Sequence, residues 1–114
     1  SGLSVDVAES TNYMRVLKQG VANIGTSTTA LTANNDVVGA VSYSSAGAYV
    51  FYVNGSAAGS GTNDQTLTAG RLLRLGYQGA ATQLFYGYIL AVAMYSTVLD
   101  ATQVAEVSAA MAAL

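Results

Sequence analysis

The chain has 114 residues, the length of one domain, and 52% hydrophobic residues supply material for a buried core. Charged residues make up only 9%, and four basic against six acidic residues give a net charge of −2. This charge leaves no basic patch for nucleic acid or an anionic membrane. The sequence has no His and no Cys, which removes the commonest general base and the thiol nucleophile. No apolar stretch is long enough to predict a membrane-inserted helix.

The first third of the chain predicts two strands and a looser segment. Residues 3–7 alternate apolar and polar side chains, which is typical of a half-buried strand. Residues 13–18 continue as a second strand. The Ser- and Thr-rich stretch 20–33 predicts one short strand plus a loop, with Ile24 and Leu31 as its apolar anchors.

The middle of the chain predicts hairpins. A strand over 37–43 turns back into a strand over 48–53, which ends at Asn54 and Gly55. This dipeptide favours a type I′ turn because both residues tolerate positive φ. The following stretch 56–64, which reads SAAGSGTND, predicts a small flexible loop.

The next predicted strand comprises Leu67 and residues 72–75, and it is followed by a long final strand over 84–95. The final strand has no charge and is rich in aromatic and β-branched residues. Both of its faces are apolar, whereas a strand with one solvent-exposed face alternates apolar and polar side chains. We therefore expect the second face to be covered, either by the terminal helix or by another subunit.

The chain ends in a predicted helix. Asp100 can cap its first turn, and Gln103 stands where the partner of a capping box belongs. Apolar residues then recur at spacings of three and four, which predicts one buried stripe. The stripe comprises Val104, Val107, Met111 and Leu114. Together these patterns predict about seven or eight strands and one helix in an all-β, two-sheet antiparallel sandwich.

Three stretches carry a resemblance to a known family. One is YVFYVNG at 49–55, one is LLRLG at 72–76, and one is the final strand with its helix cap. The final stretch places Phe85, Gly87, Ile89, Val92, Tyr95, Leu99 and Asp100 at the family's spacing. Over 36–114 the chain resembles laminin-G-like, concanavalin-A-like jelly rolls. It departs from them at Tyr86, Leu90 and Ala91, where relatives commonly carry polar residues.

The resemblance implies a jelly-roll sandwich with a short C-terminal α-helix. We expect residues 1–114 to form a single laminin-G-like domain, the C-terminal fragment of a longer chain. The chain is shorter than is usual for that family, so N-terminal strands can be trimmed or missing.

The sequence offers little for catalysis, and we expect no enzyme and no catalytic residue. A carboxylate pair for glycoside hydrolysis is formally available, but helix capping, turn formation and exposed helix positions explain most of the acidic residues better. The acidic residues are Asp6, Glu9, Asp36, Asp64, Asp100 and Glu106.

Two clusters of oxygen-bearing side chains are candidates for calcium, which related lectin folds can hold at a loop rim. They are 34–36 and Asn63 with Asp64, and each contains one carboxylate. Calcium requires six to eight oxygen ligands, usually with more than one carboxylate. Turn formation is therefore the stronger interpretation, and we expect neither a metal site nor a cofactor.

Neutral glycans need aromatic faces together with amide or hydroxyl partners. The sequence has no Trp, and most of its Tyr residues are expected in the core or an interface. The expected ligand-binding residues lie in two predicted loops. They are Tyr77, Gln78, Gln83, Asn63 and Asp64.

The family resemblance implies receptor or glycan recognition. We expect the C-terminal tip domain of a bacteriophage tail fibre or a similar adhesin, located on a virion or outside the cell, with a host cell-surface glycan or receptor as its partner. Scarce charge, a high content of Ser, Thr, Gly, Ala and Asn, and the two-sided apolar strand favour this setting over a cellular lectin, and the apolar strand suits a homotrimer. The alternatives are a structural trimerisation or capping module of a fibre, and a carbohydrate-binding accessory domain of a secreted enzyme.

Overall fold

The computed structural model describes residues 2–8, 10–18, 22–67 and 87–114. Within these ranges the chain forms six strands followed by one helix. The elements are β1 (Leu3–Val7), β2 (Tyr13–Lys18), β3 (Ala22–Ala30), β4 (Gly39–Tyr43), β5 (Ala48–Val53), β6 (Ser56–Thr62) and α1 (Ala101–Ala112).

The strands form two three-stranded antiparallel sheets from consecutive strands. Sheet A has the order β1-β2-β3, and sheet B has the order β4-β5-β6. Strand β3 contacts β5 and β6, so the two sheets face each other. This arrangement confirms the predicted all-β, two-sheet antiparallel sandwich with a C-terminal helix.

The core lies between the sheets. Val16 of β2 and Phe51 of β5 are 0% exposed. They are packed with three further buried side chains, which come from both sheets. These are Met14, Ile24 and Ala58. Full burial of a side chain such as Val16 or Phe51 contributes about 1.5–3 kcal/mol, so this cluster holds the two sheets together.

The ring of Tyr49 fills the space between one glycine of each sheet. Gly25 lies in β3, and Gly61 lies in β6 directly opposite Tyr49. A Cβ atom at either glycine would collide with the Tyr49 ring. The ring also meets Phe51 edge-on, with centroids 5.7 Å apart and an interplanar angle of 69°. Tyr49 therefore fixes how closely the two sheets approach.

Strand β3 is longer than the short strand predicted within 20–33, because a side chain supports an irregular part of its pairing with β2. The register shifts between Tyr13 and Arg15. At this point the backbone N–H of Met14 donates to the hydroxyl of Ser27 (3.0 Å), which in turn donates to the carbonyl of Thr29 (2.9 Å). Ser27 is buried, and its hydroxyl is the hydrogen-bond partner of the Met14 N–H. The bulge prevents this N–H from pairing with the backbone of β3.

The prediction of a flexible loop over 56–64 is wrong, because residues Ser56–Thr62 form strand β6 and pair with β5. The expected turn before it is present, with φ of 50° at Asn54 and 81° at Gly55. The small residues of β6 permit close packing: Ala58 is buried, and Gly59 lies against Thr28 of β3. Composition alone made this strand look like a loop.

Strand β1 is confirmed, but it exposes its apolar face. Leu3 is 42%, Val5 51% and Val7 36% exposed, although Val5 lies opposite the fully buried Val16. These side chains face the inner side of sheet A, where the described residues of sheet B do not reach them.

The other face of β1 carries an ion pair with β2. Arg15 donates to both carboxylate oxygens of Asp6, at 2.8 and 2.7 Å. The two residues lie directly opposite each other, so the bidentate pair fixes the register of the two strands. The hydrogen bond that Arg15 donates to Asp6 raises the pKa of Arg15, and the negative charge of Asp6 acts in the same direction.

The predicted final strand over 84–95 is not seen in its described part. Residues 84–86 lie outside the described residues, as do 72–75, where another strand was predicted. Residues 87–95 pair with none of the described strands, and their apolar side chains are largely exposed; Tyr88 is 93% and Met94 71% exposed. An extended apolar segment becomes a strand only when a neighbouring backbone pairs with it, which the sequence pattern does not supply.

Helix α1 begins as predicted. Asp100 accepts from the N–H of Gln103 (2.8 Å), and the Gln103 side chain accepts from the N–H of Asp100 (3.0 Å), which confirms the capping box. Val104 is buried together with Ser108. The predicted stripe is wrong at Leu114, which is exposed because the helix ends before it. Among the described residues, no helix has the length and apolarity to cross a membrane.

We predict that Ser27→Ala lowers the free energy of unfolding by about 1–3 kcal/mol, because it leaves the buried N–H of Met14 without a partner. Ser60→Ala, at an exposed position of β6, is the matched control and should change stability by less than about 0.5 kcal/mol. Urea denaturation monitored by tyrosine fluorescence measures both values. Equal effects of the two substitutions would contradict this role of Ser27.

Candidate functional site

A polar rim lies at the end of sheet B where β4 passes into β5 and β6 ends. The turn after β4 is closed by hydrogen bonds from the N–H of Gly47 to the carbonyl of Ser44 and from the N–H of Ser44 to the carbonyl of Ala48, both 2.9 Å. The hydroxyl of Ser44 also accepts from the N–H of Ala48 (3.1 Å). Ser44 therefore holds the turn through both its backbone and its side chain.

The Tyr43 hydroxyl joins this turn to the segment that follows β6. It donates to the carbonyl of Asn63 (2.8 Å) and accepts from the N–H of Gln65 (3.2 Å). The Tyr43 side chain is half-buried, and it also packs at the margin of the hydrophobic core. One hydroxyl thus supplies partners for two backbone groups outside the strands.

Asn63 connects the rim to both sheets. Its amide nitrogen donates to the carbonyl of Ile24 in β3 (3.3 Å), and its amide oxygen accepts from Nε2 of Gln65 (2.9 Å). Its backbone N–H donates to the carbonyl of Gly47 (2.9 Å). The Asn63 side chain therefore links β3 to the segment after β6 across the open end of the sandwich.

Gly47 is required at the turn for two reasons. Its φ is 79°, in the region that favours glycine. A Cβ atom at this position would also collide with the backbone of Asp64. The turn and the segment after β6 are therefore in direct backbone contact, which keeps the rim narrow.

The rim encloses a shallow depression of about 330 Å³. Its lining combines an aromatic ring, two hydroxyls, an amide and one aliphatic side chain. The lining residues are Tyr43, Ser44, Ser45, Gln65 and Leu67. Because Nε2 of Gln65 is held by Asn63, the carbonyl oxygen is the end of this amide that remains available as an acceptor.

The structure brings two of the predicted ligand-binding residues to this rim. Asn63 is half-buried, and both ends of its side-chain amide are hydrogen-bonded within the protein. Asp64 is exposed beside it. The other three, Tyr77, Gln78 and Gln83, lie outside the described residues, so their role stays a prediction.

Sequence reasoning did not single out Tyr43 among the tyrosines, and it missed Ser45 and Gln65. Strand β5 pairs with β6 so that Ala48 lies opposite Thr62, which brings the turn after β4 next to the segment after β6. Counting outward from the Asn54 and Gly55 turn brings these two segments near each other, but the irregularity between Val50 and Tyr52 shifts the final register by one residue. Because 56–64 was predicted to be a loop, the pairing of β5 with β6 was not used to place these two segments.

A second depression, of about 450 Å³, lies between the β5–β6 turn and helix α1. Small side chains and the exposed carboxylate of Asp36 form its walls, and no aromatic ring contributes to it. The lining residues are Asp36, Val38, Asn54, Gly55, Ser56, Ala105, Ser108, Ala109 and Ala112. This groove offers less than the rim for stacking a sugar ring.

The residues considered for calcium take part in local structure. Asn34 has φ of 60°, and the Asn35 side chain donates to the carbonyl of Ala33 (3.3 Å), which fits the turn interpretation. Among the described residues, no three His, Cys, Asp or Glu side chains come together in a group suited to a metal ion.

Comparisons with known proteins agree with this architecture. A laminin G family model, described as the concanavalin A-like lectin/glucanases superfamily, matches residues 2–105. A crystal structure of an S-layer domain-containing protein from Clostridium thermocellum ATCC 27405 superimposes with a TM-score of 0.54 and 16% identity. The match covers 94% of this chain but 63% of that one, and at this identity it concerns the fold alone. No match was found among curated proteins.

We predict that Asn63→Ala lowers the free energy of unfolding by about 1–3 kcal/mol, because the carbonyl of Ile24 and Nε2 of Gln65 both lose their partner. Asn35→Ala is the matched control. It removes an exposed amide with one local hydrogen bond and should cost less than about 0.5 kcal/mol. If chemical denaturation gave the same free energy of unfolding for both variants, the Asn63 side chain would not stabilise the contact between β3 and the segment after β6.

Proposed function

Because this chain belongs to the concanavalin A-like lectin/glucanases superfamily, we propose that it is a carbohydrate-recognition domain. The observation that carries the proposal is the family match, which spans nearly the whole chain. The polar rim supports it, since its hydroxyl and amide side chains suit sugar hydroxyls. Because fold alone does not determine function, the rim is a second, independent observation in favour of the proposal.

The setting we propose is the C-terminal tip of a bacteriophage tail fibre or a similar adhesin, with a host cell-surface glycan or receptor as partner. The S-layer domain named in the structural relative supports an extracellular location, and the virion is our narrower proposal. It is also supported by a surface poor in charge, since charged residues are only 9% of the chain.

We propose a homotrimer in which copies of this chain cover its exposed apolar surface. That surface comprises the inner face of β1 and the segment 87–98. It includes Val5, Tyr88, Leu90 and Met94, all more than half exposed. Segment 87–98 contains no charged residue, so like-charge repulsion does not oppose contact between copies. Further copies of the chain are therefore a suitable cover for it.

We propose that the domain is not an enzyme. The absence of His and Cys from the sequence supports this. Two carboxylates also have structural roles, since Asp6 holds Arg15 and Asp100 caps helix α1. A glycosidase needs a free carboxylate pair across a sugar-binding cleft, so these two residues are poor candidates.

A structural trimerisation or capping module is the second candidate function. The exposed apolar surface favours it independently of the rim, because a fibre module needs subunit contacts and no ligand. A carbohydrate-binding accessory domain of a secreted enzyme would instead be a monomer.

We predict that light scattering behind a sizing column gives a native mass near three times 11.6 kDa. Burial of the apolar surface between copies is the physical reason. Replacing Leu90 and Met94 by Ser should shift the mass toward the monomer, whereas the same change at exposed Ala109 and Ala110 of α1 should not. A monomer at high protein concentration would overturn the trimer proposal.

We predict that the labelled chain binds selected members of an immobilised glycan array, and that free sugar competes for this binding. Multiple copies raise the apparent affinity, so the array is suited to weak individual sites. Bovine serum albumin labelled in the same way controls for non-specific capture. A trimer that binds no glycan would favour the structural module instead.

A further inference from the structure

We propose that the rim depression is a subsite for one neutral sugar ring, which packs on Tyr43 and Leu67 and hydrogen-bonds to Gln65 and Ser45. This inference rests on the proposed carbohydrate recognition and names the site and the class of sugar. The lining residues come from the end of β4, its turn and the segment after β6.

The size of the depression suits a small ligand. Its volume is about 330 Å³. The depression is shallow and mostly open to solvent, so a ligand would lie against its surface rather than inside a closed pocket. A terminal sugar or one residue of a longer glycan fits this space, while the remainder of the glycan extends into solvent.

The polar groups match a polyol. The carbonyl oxygen of Gln65 is an acceptor, and the Ser44 hydroxyl, which accepts from the N–H of Ala48, retains its own hydrogen to donate. Ser45 is exposed on the turn and can do either. Neighbouring sugar hydroxyls each donate and accept, so they satisfy such a mixed set without leaving a polar group unpaired.

The apolar part of the site consists of the Tyr43 ring and Leu67. The Tyr43 hydroxyl already has two partners, Asn63 and Gln65, so the ring contributes mainly its apolar surface. Leu67 lines the same depression. A sugar ring has an apolar C–H face and polar edges, which matches this division of the site.

The site is preorganised. Gln65 is held at its backbone by Tyr43 and at its side chain by Asn63. Ser44 is held by three hydrogen bonds within the turn. Groups that are already fixed lose less conformational entropy when a ligand binds, which favours the weak contacts of a single sugar.

Charge sets the class of sugar. The exposed carboxylate of Asp64 adjoins Gln65 at the rim. No Lys or Arg is among the described residues that line the depression, so a uronic or sialic acid would find no cationic partner there, while Asp64 at the rim carries a charge of the same sign. Neutral hexoses and N-acetylhexosamines avoid that repulsion, so the site should prefer them.

The test is calorimetric titration of the full chain with methyl glycosides of glucose, galactose, mannose and N-acetylglucosamine, and with galacturonic acid. Gln65→Ala should weaken binding of the preferred neutral sugar about fivefold to tenfold, and Ser45→Ala about threefold or more. Ser56→Ala in the groove beside α1 is the control and should leave the Kd unchanged. Galacturonic acid should bind more weakly than galactose.

Each outcome is decisive. If the wild-type chain binds neutral sugars but Gln65→Ala and Ser45→Ala leave the Kd unchanged, the subsite is overturned and carbohydrate recognition stands. If galacturonic acid binds as well as galactose, the charge argument fails. If no glycan or glycoside binds, both the subsite and the proposed function fall. Ser45 is exposed, so its variant keeps the test valid if Gln65→Ala impairs folding.

Discussion

The ring of Tyr49, held between a glycine of each sheet, is the constraint on which the rest of the sandwich depends. Gly25 and Gly61 have no side chains to separate it from the backbone of β3 and β6. The ring therefore sets the distance between sheets, and Phe51 packs edge-on against it at the centre of the core. A larger residue at either glycine would force the sheets apart or displace the ring, and both changes disrupt a close-packed core.

The close approach of the two sheets around Tyr49 also determines the structure of the rim. Asn63 follows Gly61 by two positions, and its side chain can contact the carbonyl of Ile24 only because the sheets are held close together at this end. Asn63 then orients Gln65, and Tyr43 anchors the backbone on both sides of Asp64. Packing in the core and the arrangement of polar groups at the surface are thus parts of one connected structure. A sugar site at this rim would use geometry that folding has already fixed.

Local chemistry explains which features could be predicted from sequence. The turn at Asn54 and Gly55 and the capping box of Asp100 depend on neighbouring residues, and both are present. Strand β6 depends on distant partners: its small residues look like a loop until Tyr49 and Thr28 pack against them. Residues 87–95, the described part of the predicted final strand, show the opposite error, since an apolar pattern is no evidence of a pairing partner.

The candidate site was the least predictable part. Asn63 and Asp64 were expected in a ligand loop, and the structure places them at the rim, but the amide of Asn63 contacts the protein itself. Ser45 and Gln65 join the depression only through the register of β5 with β6, including the irregularity between Val50 and Tyr52. No pattern of residue types reveals such a shift, because it depends on how Ala58 and its neighbours pack between the sheets.

The central claim is that a neutral sugar binds at the rim, and the most direct measurement is the mapping of backbone amide chemical shifts during titration with a neutral methyl glycoside. The account predicts that the largest changes occur at Ser44, Ser45 and Gln65, while the amides of Gly55 and Ser108 beside the helix groove remain unchanged. Saturable shifts centred on the helix groove, or no shifts at millimolar sugar, would contradict it.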